Sequence, residues 1–148
     1  MQKTTADPSQ WLANLPDDVR PDLQHLDTFI VRYLPQASRV LWEGTFWGGT
    51  DQTIIGYGDL VMTQSRGKQV EWFMVGLAQQ KAHVSIYVNA VRGGHYVTQE
   101  FASRLGKVKI GAASIAFKRL ADLDLDVLGD VLDIANAQLI EARSAPTD

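Results

Sequence analysis

Three aromatic residues surround a carboxylate in the segment LWEGTFWGG, which spans residues 41–49. They are Trp42, Phe46 and Trp47 around Glu43, and the nearby glycines let the backbone bend or approach a ligand closely. A carboxylate among aromatic rings can act as an acid or a base, because loss of water favours its protonated form. The same residues also suit a loop folded over the core, since tryptophan buries a large area. This segment is the most pocket-like stretch of the chain.

A first group of metal-binding residue types lies near the N-terminus. Asp18, Asp22 and His25 fall within about 60° of arc if this segment is helical, and carboxylate oxygens with an imidazole can bind a divalent metal. The alternative interpretation is structural, because Asp17 or Asp18 suits the N-cap of that helix and acidic residues are favoured in a first turn.

A second group of acidic residues lies near the C-terminus. Asp126, Asp130 and Asp133 form, together with Glu141, a row on one face of a predicted helix. Oxygen donors suit a cation such as iron when the chain offers no sulfur ligand. An acidic row is also typical of a solvated helix face, where it favours solubility. Iron binding by these aspartates is therefore an alternative hypothesis, and no other cofactor is predicted.

The sequence contains no recognisable catalytic motif. GTFWGG lacks the lysine and the following Ser or Thr of a phosphate-binding P-loop. No G-x-S-x-G elbow is present, and Ser114 has no evident histidine base. His83 and His95 have no obvious partner near them in the sequence and are predicted to lie on the surface. We therefore expect a protein that is not an enzyme.

The composition is that of an ordinary globular domain and excludes several partners. With 148 residues, 45% of them hydrophobic, the chain is expected to form one domain with flexible tails at residues 1–7 and 144–148. The net charge is −3 and the 14 Lys and Arg residues are scattered, which argues against nucleic-acid binding. No apolar run approaches the ~20 residues of a membrane span and no secretory signal is evident, so a cytoplasmic location is expected. The absence of cysteine excludes disulfides, thiolate nucleophiles and iron–sulfur clusters.

The order of the predicted elements is typical of an α+β sandwich. A short helix at residues 8–15 precedes a long amphipathic helix that Pro35 ends. Between residues 38 and 91, short segments rich in β-branched and aromatic residues alternate with glycine, as in consecutive antiparallel strands. A helix over residues 96–105, two short extended pieces and a helix ending near Arg143 complete the chain. We predict an antiparallel sheet of about five to six strands packed against N- and C-terminal helices.

Two of these strands can be characterised further. VEWFMVGLA is apolar on both faces, which favours a central position in the sheet. HVSIYVNAV alternates, so that Val84, Ile86 and Val88 face the core while Ser85 and Tyr87 lie on a wetter face. QQKA between the two segments indicates a hairpin and hence antiparallel pairing.

Three segments, in this order, resemble the domain-of-unknown-function 1801, or YdhG-like, family. They are TIIGYG, SRGKQVEWFMVGLAQQKAHVSIYV and LGKVKIGAASIAFKRLADLDLDVL, and the match runs from about Thr53 to Leu132. The set includes a Gly-aromatic-Gly turn around Tyr57, Trp-Phe before the central strand, Gln-Lys in the hairpin and the start of the last helix. The resemblance implies an antiparallel sheet flanked by terminal helices. The wider superfamily includes bacterial frataxin-like proteins proposed to handle intracellular iron.

The chain departs from the family pattern where chemistry would be sought. The family often has Pro-Arg-Lys in the hairpin, where this chain has Gln79, Gln80 and Lys81. It often has Gly-Lys-x-Cys where residues 111–114 of this chain read Gly-Ala-Ala-Ser. An arginine, a lysine and a thiol are thus replaced, which removes side chains that an anion site or a thiol–metal site would use. Lys81, Lys107 and Gly111 remain at matching positions.

The leading hypothesis is a non-catalytic cytoplasmic domain that holds a small molecule between the aromatic loop and the sheet, with lysines available to fix an anionic group. The candidate ligand-binding residues are Trp42, Glu43, Trp47, Tyr57, Lys81, Tyr87, Lys107 and Lys109. A frataxin-like iron chaperone and a self-associating scaffold, such as a homodimer, are the alternative hypotheses.

Overall fold

The structure is a computed structural model that describes residues 1–45, 51–63 and 65–144. The strands in these ranges are β1 Gln2–Lys3, β2 Arg39–Thr45, β3 Asp51–Thr63, β4 Gln69–Gln79, β5 Val84–Val88, β6 Val91–Arg92, β7 His95–Tyr96, β8 Lys109–Ile110 and β9 Ser114–Phe117. The helices are α1 Pro8–Ala13, α2 Arg20–Tyr33, α3 Val97–Glu100 and α4 Leu125–Ser144.

Seven of the strands form one antiparallel sheet in the order β1-β2-β3-β4-β5-β9-β8, and β6 pairs with β7 in a separate small hairpin. The predicted α+β class is confirmed, although the sheet has more strands than the sequence indicated. The pattern between residues 38 and 91 predicts short separate strands, but residues 51–63 form one long strand, β3. The central position of β4 and the hairpin between β4 and β5 are confirmed.

One face of the sheet is covered by helices, which enclose the large core of the protein. The apolar stripe of α2 contributes Leu23, Leu26 and Ile30, all fully buried, as its amphipathic pattern predicts. The stripe of α4 contributes Leu128, Val131, Leu132, Ala135 and Leu139. The two long helices approach closely because Gly129 has no side chain: a Cβ there would lie 2.4 Å from the hydroxyl of Tyr33.

The two long helices begin in different ways. The sequence predicted an aspartate cap for α2, but its N-cap is Val19, which makes no side-chain capping hydrogen bond. Asp17, one of the two predicted capping residues, instead forms an ion pair with Arg20, the first residue of α2. The last helix, α4, begins after an aspartate cap: Asp124 Oδ1 accepts a hydrogen bond of 3.2 Å from the Val127 N–H.

The long ribbon formed by β3 and β4 bends sharply at Gly58, which has a φ of 86°. Neighbouring side chains of a regular strand point to opposite faces. On β4, however, the rings of Trp72 and Phe73 are stacked, with centroids 4.6 Å apart. The far half of the ribbon, residues 59–63 paired with residues 69–73, therefore turns over the sheet face that the helices leave open. We call this part the folded-over ribbon.

A pair of facing glycines provides the space for this bend. Gly56 of β3 lies opposite Gly76 of β4. A Cβ on Gly56 would lie 2.6 Å from Trp42 Nε1, and a Cβ on Gly76 would lie 2.6 Å from Phe73 Cε2. The two aromatic rings thus occupy the volume where two side chains would otherwise stand, and their centroids lie 5.6 Å apart.

The bend encloses a second, smaller apolar cluster, to which no helix of the described chain contributes. The cluster consists of Trp42, Ile54, Phe73, Ala78 and Tyr87, with Met1, Val40 and Trp72 packed against it. The prediction of a wetter face on β5 is wrong, since Ser85 and Tyr87 are both buried. Polar and apolar residues alternate along β5 as they do in a half-exposed strand. The folded-over ribbon, however, covers this face of the sheet.

Part of the predicted N-terminal tail, residues 1–7, belongs to the sheet. Gln2 and Lys3 pair with β2 as the edge strand β1. The ammonium of Lys3 lies 5.7 Å from the centroid of the Trp42 ring and 3.0 Å from Asp59 Oδ1. Because Asp59 belongs to the folded-over ribbon, this ion pair links the edge of the sheet to the bend.

The C-terminal half contains a shorter helix than the one predicted over residues 96–105. It consists of α3 followed by a separate 3-10 turn at residues 102–104. Gly106 then adopts a φ of 103°, a conformation that favours glycine after a helical turn. Residues 145–148 lie outside the described part of the chain. No helix in the described ranges is long and apolar enough to cross a membrane.

The bend predicts a large difference between two glycine substitutions. Gly58 and Gly93 both have positive φ, but a Cβ on Gly58 would lie 2.5 Å from Leu139 Cδ2, whereas a Cβ on Gly93 meets nothing within 4 Å. Gly58→Ala should therefore lower the free energy of unfolding by about 1–3 kcal/mol more than Gly93→Ala, since it adds overpacking to the backbone cost. Urea unfolding of both variants measures the difference, and equal losses would contradict this account of the bend.

Candidate functional site

The inner side of the bent sheet holds a groove of about 460 Å³. Its lining residues are Met1, Thr45, Met62, Thr63, Val70, Trp72, Tyr87, Asn89, Tyr96, Ala112, Ala113 and Ser114. The lining is mainly apolar and aromatic, with a few hydroxyl and amide groups among it. No side chain in this set is acidic or basic, so the groove suits the uncharged parts of a ligand.

Two parts of the chain that are distant in sequence form the walls of the groove. The folded-over ribbon supplies Met62, Val70 and Trp72 on one side. On the other side, Tyr87 of β5 lies opposite Ser114 of β9. The groove therefore exists because the ribbon bends over strands that would otherwise present an open face.

The loop before β9 is held in place by two hydrogen bonds. The hydroxyl of Thr98, which is fully buried, donates to the Ala112 carbonyl over 3.0 Å. The Val88 N–H donates to the Ala113 carbonyl over 2.8 Å. Both bonds use backbone atoms of the loop, so the small side chains of its alanines remain available to line the groove.

A hydrogen-bonded network lies beside the groove and fixes Tyr87. The side-chain amide of Gln80 donates to the Tyr87 hydroxyl over 2.9 Å and to Gln52 Oε1 over 3.0 Å. The Ser85 hydroxyl donates to Gln80 Oε1 over 2.6 Å. Burial raises the pKa of the Tyr87 hydroxyl, although the hydrogen bonds with Ser85 and Gln80 lower it in part. Tyr87 is thus a positioned, neutral group at neutral pH.

The structure brings only part of the predicted aromatic site together. Tyr87 lines the groove, and Trp42 lies behind the lining, buried, with its ring centroid 5.6 Å from that of Trp72. Glu43 is exposed on β2 and is not a lining residue. Trp47 falls within residues 46–50, which lie outside the described residues.

The predicted lysines do not line the groove. Lys81 lies in the β4–β5 turn, beyond the end of the sheet where Val84 pairs with Phe117, whereas the groove lies at the Tyr87–Ser114 end of the same strand pair. Lys107 and Lys109 are exposed at or next to the short edge strand β8. These three cations are therefore not gathered around the groove.

Tyr57 lies on the other face of the sheet, in a buried contact with α2. Its hydroxyl donates to Asp27 Oδ1 over 2.7 Å. The Arg39 guanidinium donates to both oxygens of the same carboxylate, each over 2.9 Å. Burial raises the pKa of the Tyr57 hydroxyl well above its ordinary value, and Asp27 raises it further. The role of Tyr57 in the structure is to join β3 to α2.

The two groups of metal-binding residue types remain separate in the structure. The Asp22 carboxylate accepts a hydrogen bond from the Leu120 N–H over 3.0 Å, which links α2 to the turn before α4. Asp126, Asp130 and Asp133 are exposed on α4. Within residues 1–45, 51–63 and 65–144, no group of three or more His, Cys, Asp or Glu side chains is arranged to hold a metal ion.

Comparison with known proteins does not supply a family: no family model, no curated protein and no solved structure matches this chain. The candidate site therefore depends on the chemistry of its own residues.

Several groove residues escaped the sequence analysis. The sequence places Trp72 in a central strand but links neither Trp72 nor Asn89 to a site. Ser114 is singled out from the sequence as a nucleophile without a base and as a replacement for a family cysteine, and not as a lining residue. The available signal was the pair of consecutive aromatic residues at positions 72 and 73 of a strand, since a regular strand would send them to opposite faces.

The Tyr57 contact predicts a loss of stability at alkaline pH. A tyrosine in the unfolded chain ionises near pH 10, whereas the folded state keeps the Tyr57 hydroxyl protonated to higher pH. The stabilisation is therefore complete below about pH 10 and decreases as the pH rises above it. Urea unfolding at increasing pH should show this decrease, and Tyr57→Phe should reduce it.

Tyr33→Phe is the matched control, because no hydrogen bond joins the Tyr33 hydroxyl to Asp27 in the described structure. If Tyr33→Phe and Tyr57→Phe changed the alkaline loss equally, the assignment of the effect to the Asp27 contact would be wrong.

Proposed function

We propose that this chain is a cytoplasmic, non-catalytic domain that binds a small uncharged molecule in the groove of the bent sheet. The observation that carries the proposal is the lining itself: aromatic, aliphatic and a few neutral polar side chains around about 460 Å³. Ligand sites typically have volumes of about 300–1,000 Å³ and combine apolar walls with a small number of fixed polar groups.

An uncharged ligand is favoured over the anionic one considered from the sequence. Transfer of a charge into an apolar groove without a partner is costly. The lysines that would provide such a partner, Lys81, Lys107 and Lys109, are not lining residues. We therefore propose a small-molecule binding domain whose ligand is uncharged, in place of the anionic ligand considered from the sequence.

Binding is favoured over catalysis by the groups that line the groove. Among the residues that the structure describes, the lining offers hydroxyls of Thr, Ser and Tyr and one Asn amide, but no imidazole, carboxylate or lysine ammonium side chain. General acid–base chemistry near neutral pH depends mainly on those three groups. Membership of the YdhG-like family remains a prediction, and the proposal does not depend on it.

Filling the groove is expected to weaken binding without unfolding the protein. Ala113 is a lining residue held through its carbonyl, so Ala113→Phe adds volume at the site while the backbone hydrogen bond is retained. The neutral fluorescent probe N-phenyl-1-naphthylamine should bind the parent protein, and Ala113→Phe should weaken this binding by about tenfold or more.

Ala142→Phe is the control, because Ala142 is exposed on α4, away from the groove lining. It should bind the probe as the parent does. A library of uncharged compounds below about 300 Da, screened by thermal shift, extends the test to natural-like ligands. The proposal fails if neither the probe nor any compound binds, or if Ala113→Phe binds as well as the parent.

A further inference from the structure

Asn89 is a polar residue of the groove lining, and two hydrogen bonds hold it in place. Its amide nitrogen donates to the Phe73 carbonyl over 2.8 Å, and its backbone N–H donates to the Met74 carbonyl over 2.8 Å. These two bonds tie Asn89 to β4 at the bend and fix the orientation of the side chain. The carbonyl oxygen, Oδ1, is then the remaining polar atom of this amide.

That oxygen is accessible and has no donor within the described ranges. No hydrogen bond to Asn89 Oδ1 is present there, and the atom is not among the buried polar atoms that lack a partner. Because Asn89 lines the groove, its oxygen is a fixed acceptor for a donor that enters the groove.

Asn89 shares the groove lining with aromatic residues. Its amide is held by the carbonyl of Phe73, and Trp72, the preceding residue, is itself a lining residue. Tyr87 of β5, Asn89 directly after β5 and Tyr96 are likewise lining residues. Aromatic pairs contribute interaction energy beyond the area that they bury.

We infer that the groove binds a neutral aromatic molecule that carries an N–H or O–H donor, and that Asn89 Oδ1 accepts this donor. The inference rests on the proposed function, and it adds the chemical class of the ligand. A ligand without a donor would displace water from Oδ1 and leave this acceptor unpaired. The unpaired acceptor would weaken the binding of such a ligand. An anionic ligand would lose water without gaining a cationic side-chain partner in the lining.

Matched pairs of compounds test the donor directly. Indole and 1-methylindole differ by the N–H, and 2-naphthol and 2-methoxynaphthalene differ by the O–H, while the aromatic area is nearly the same. Titration followed by nuclear magnetic resonance should show that the donor compound binds about three- to tenfold more tightly in each pair. Indole-3-acetate, an anion, should bind more weakly than indole.

Two observations assign the preference to Asn89. In the parent protein, indole should shift the side-chain amide resonances of Asn89 more than 1-methylindole does. In Asn89→Ala, the ratio of the two affinities should fall to about one, because the acceptor is gone. Asn14→Ala, which changes an asparagine at the end of α1, is the control and should keep the ratio of the parent.

The outcomes separate the inference from the proposed function. If none of these compounds nor the uncharged library binds, the proposed function itself is wrong. If compounds bind but the methylated members bind as well as their partners, the proposed function stands and the inference about the donor is overturned. If indole-3-acetate binds as well as indole, the uncharged ligand of the proposed function is wrong. If Asn89→Ala does not fold, the resonance shifts of the parent decide: unchanged Asn89 amide resonances on indole binding overturn the inference.

Discussion

The bend of the β3–β4 ribbon is the constraint on which both faces of this protein depend. A straight ribbon would leave Trp42, Phe73 and Tyr87 on an open sheet face in contact with water. The bend requires a positive φ at Gly58 and the absence of side chains at Gly56 and Gly76. It buries the small aromatic cluster and, further along the ribbon, forms one wall of the groove. The same backbone feature thus provides stability and the candidate site.

The helix-covered face is joined to the sheet by a different kind of contact. Asp27 accepts three hydrogen bonds, two from Arg39 and one from Tyr57, at a boundary that is otherwise apolar. A partly buried carboxylate is tolerated there because its oxygens are paired with a cation and a neutral donor. Such directional contacts favour one placement of α2 on the sheet, whereas apolar packing alone would tolerate neighbouring placements. These contacts therefore fix the placement of α2 on one side of the sheet, while the opposite side forms the groove.

Features of the fold that depend on local periodicity were predictable from the sequence. The stripe of Leu23, Leu26 and Ile30, the central strand β4 and the cap at Asp124 each follow from residues close to one another in the chain. The bend was not predictable in this way, because it depends on contacts between residue 42 and residue 73 that form only after β2, β3 and β4 have paired. The candidate site was predicted in part for the same reason. Tyr87 lines the groove as predicted. Tyr57 does not, because its hydroxyl binds Asp27 of helix α2 on the opposite face of the sheet.

The sheet order also separates pairings that are local in sequence from pairings between distant parts of the chain. Strands β2 to β5 are neighbours in both sequence and space, so their pairing closes only short loops. Strand β9, by contrast, joins β5 after β6, β7, α3 and β8, and the Asp22 bond to Leu120 closes a still longer loop. The wall of the groove that contains Ser114 therefore depends on pairing between residues that are more distant in sequence than those of the ribbon wall. A molecule bound in the groove would contact both walls and so would favour the folded state in which the local and the distant pairings are both present.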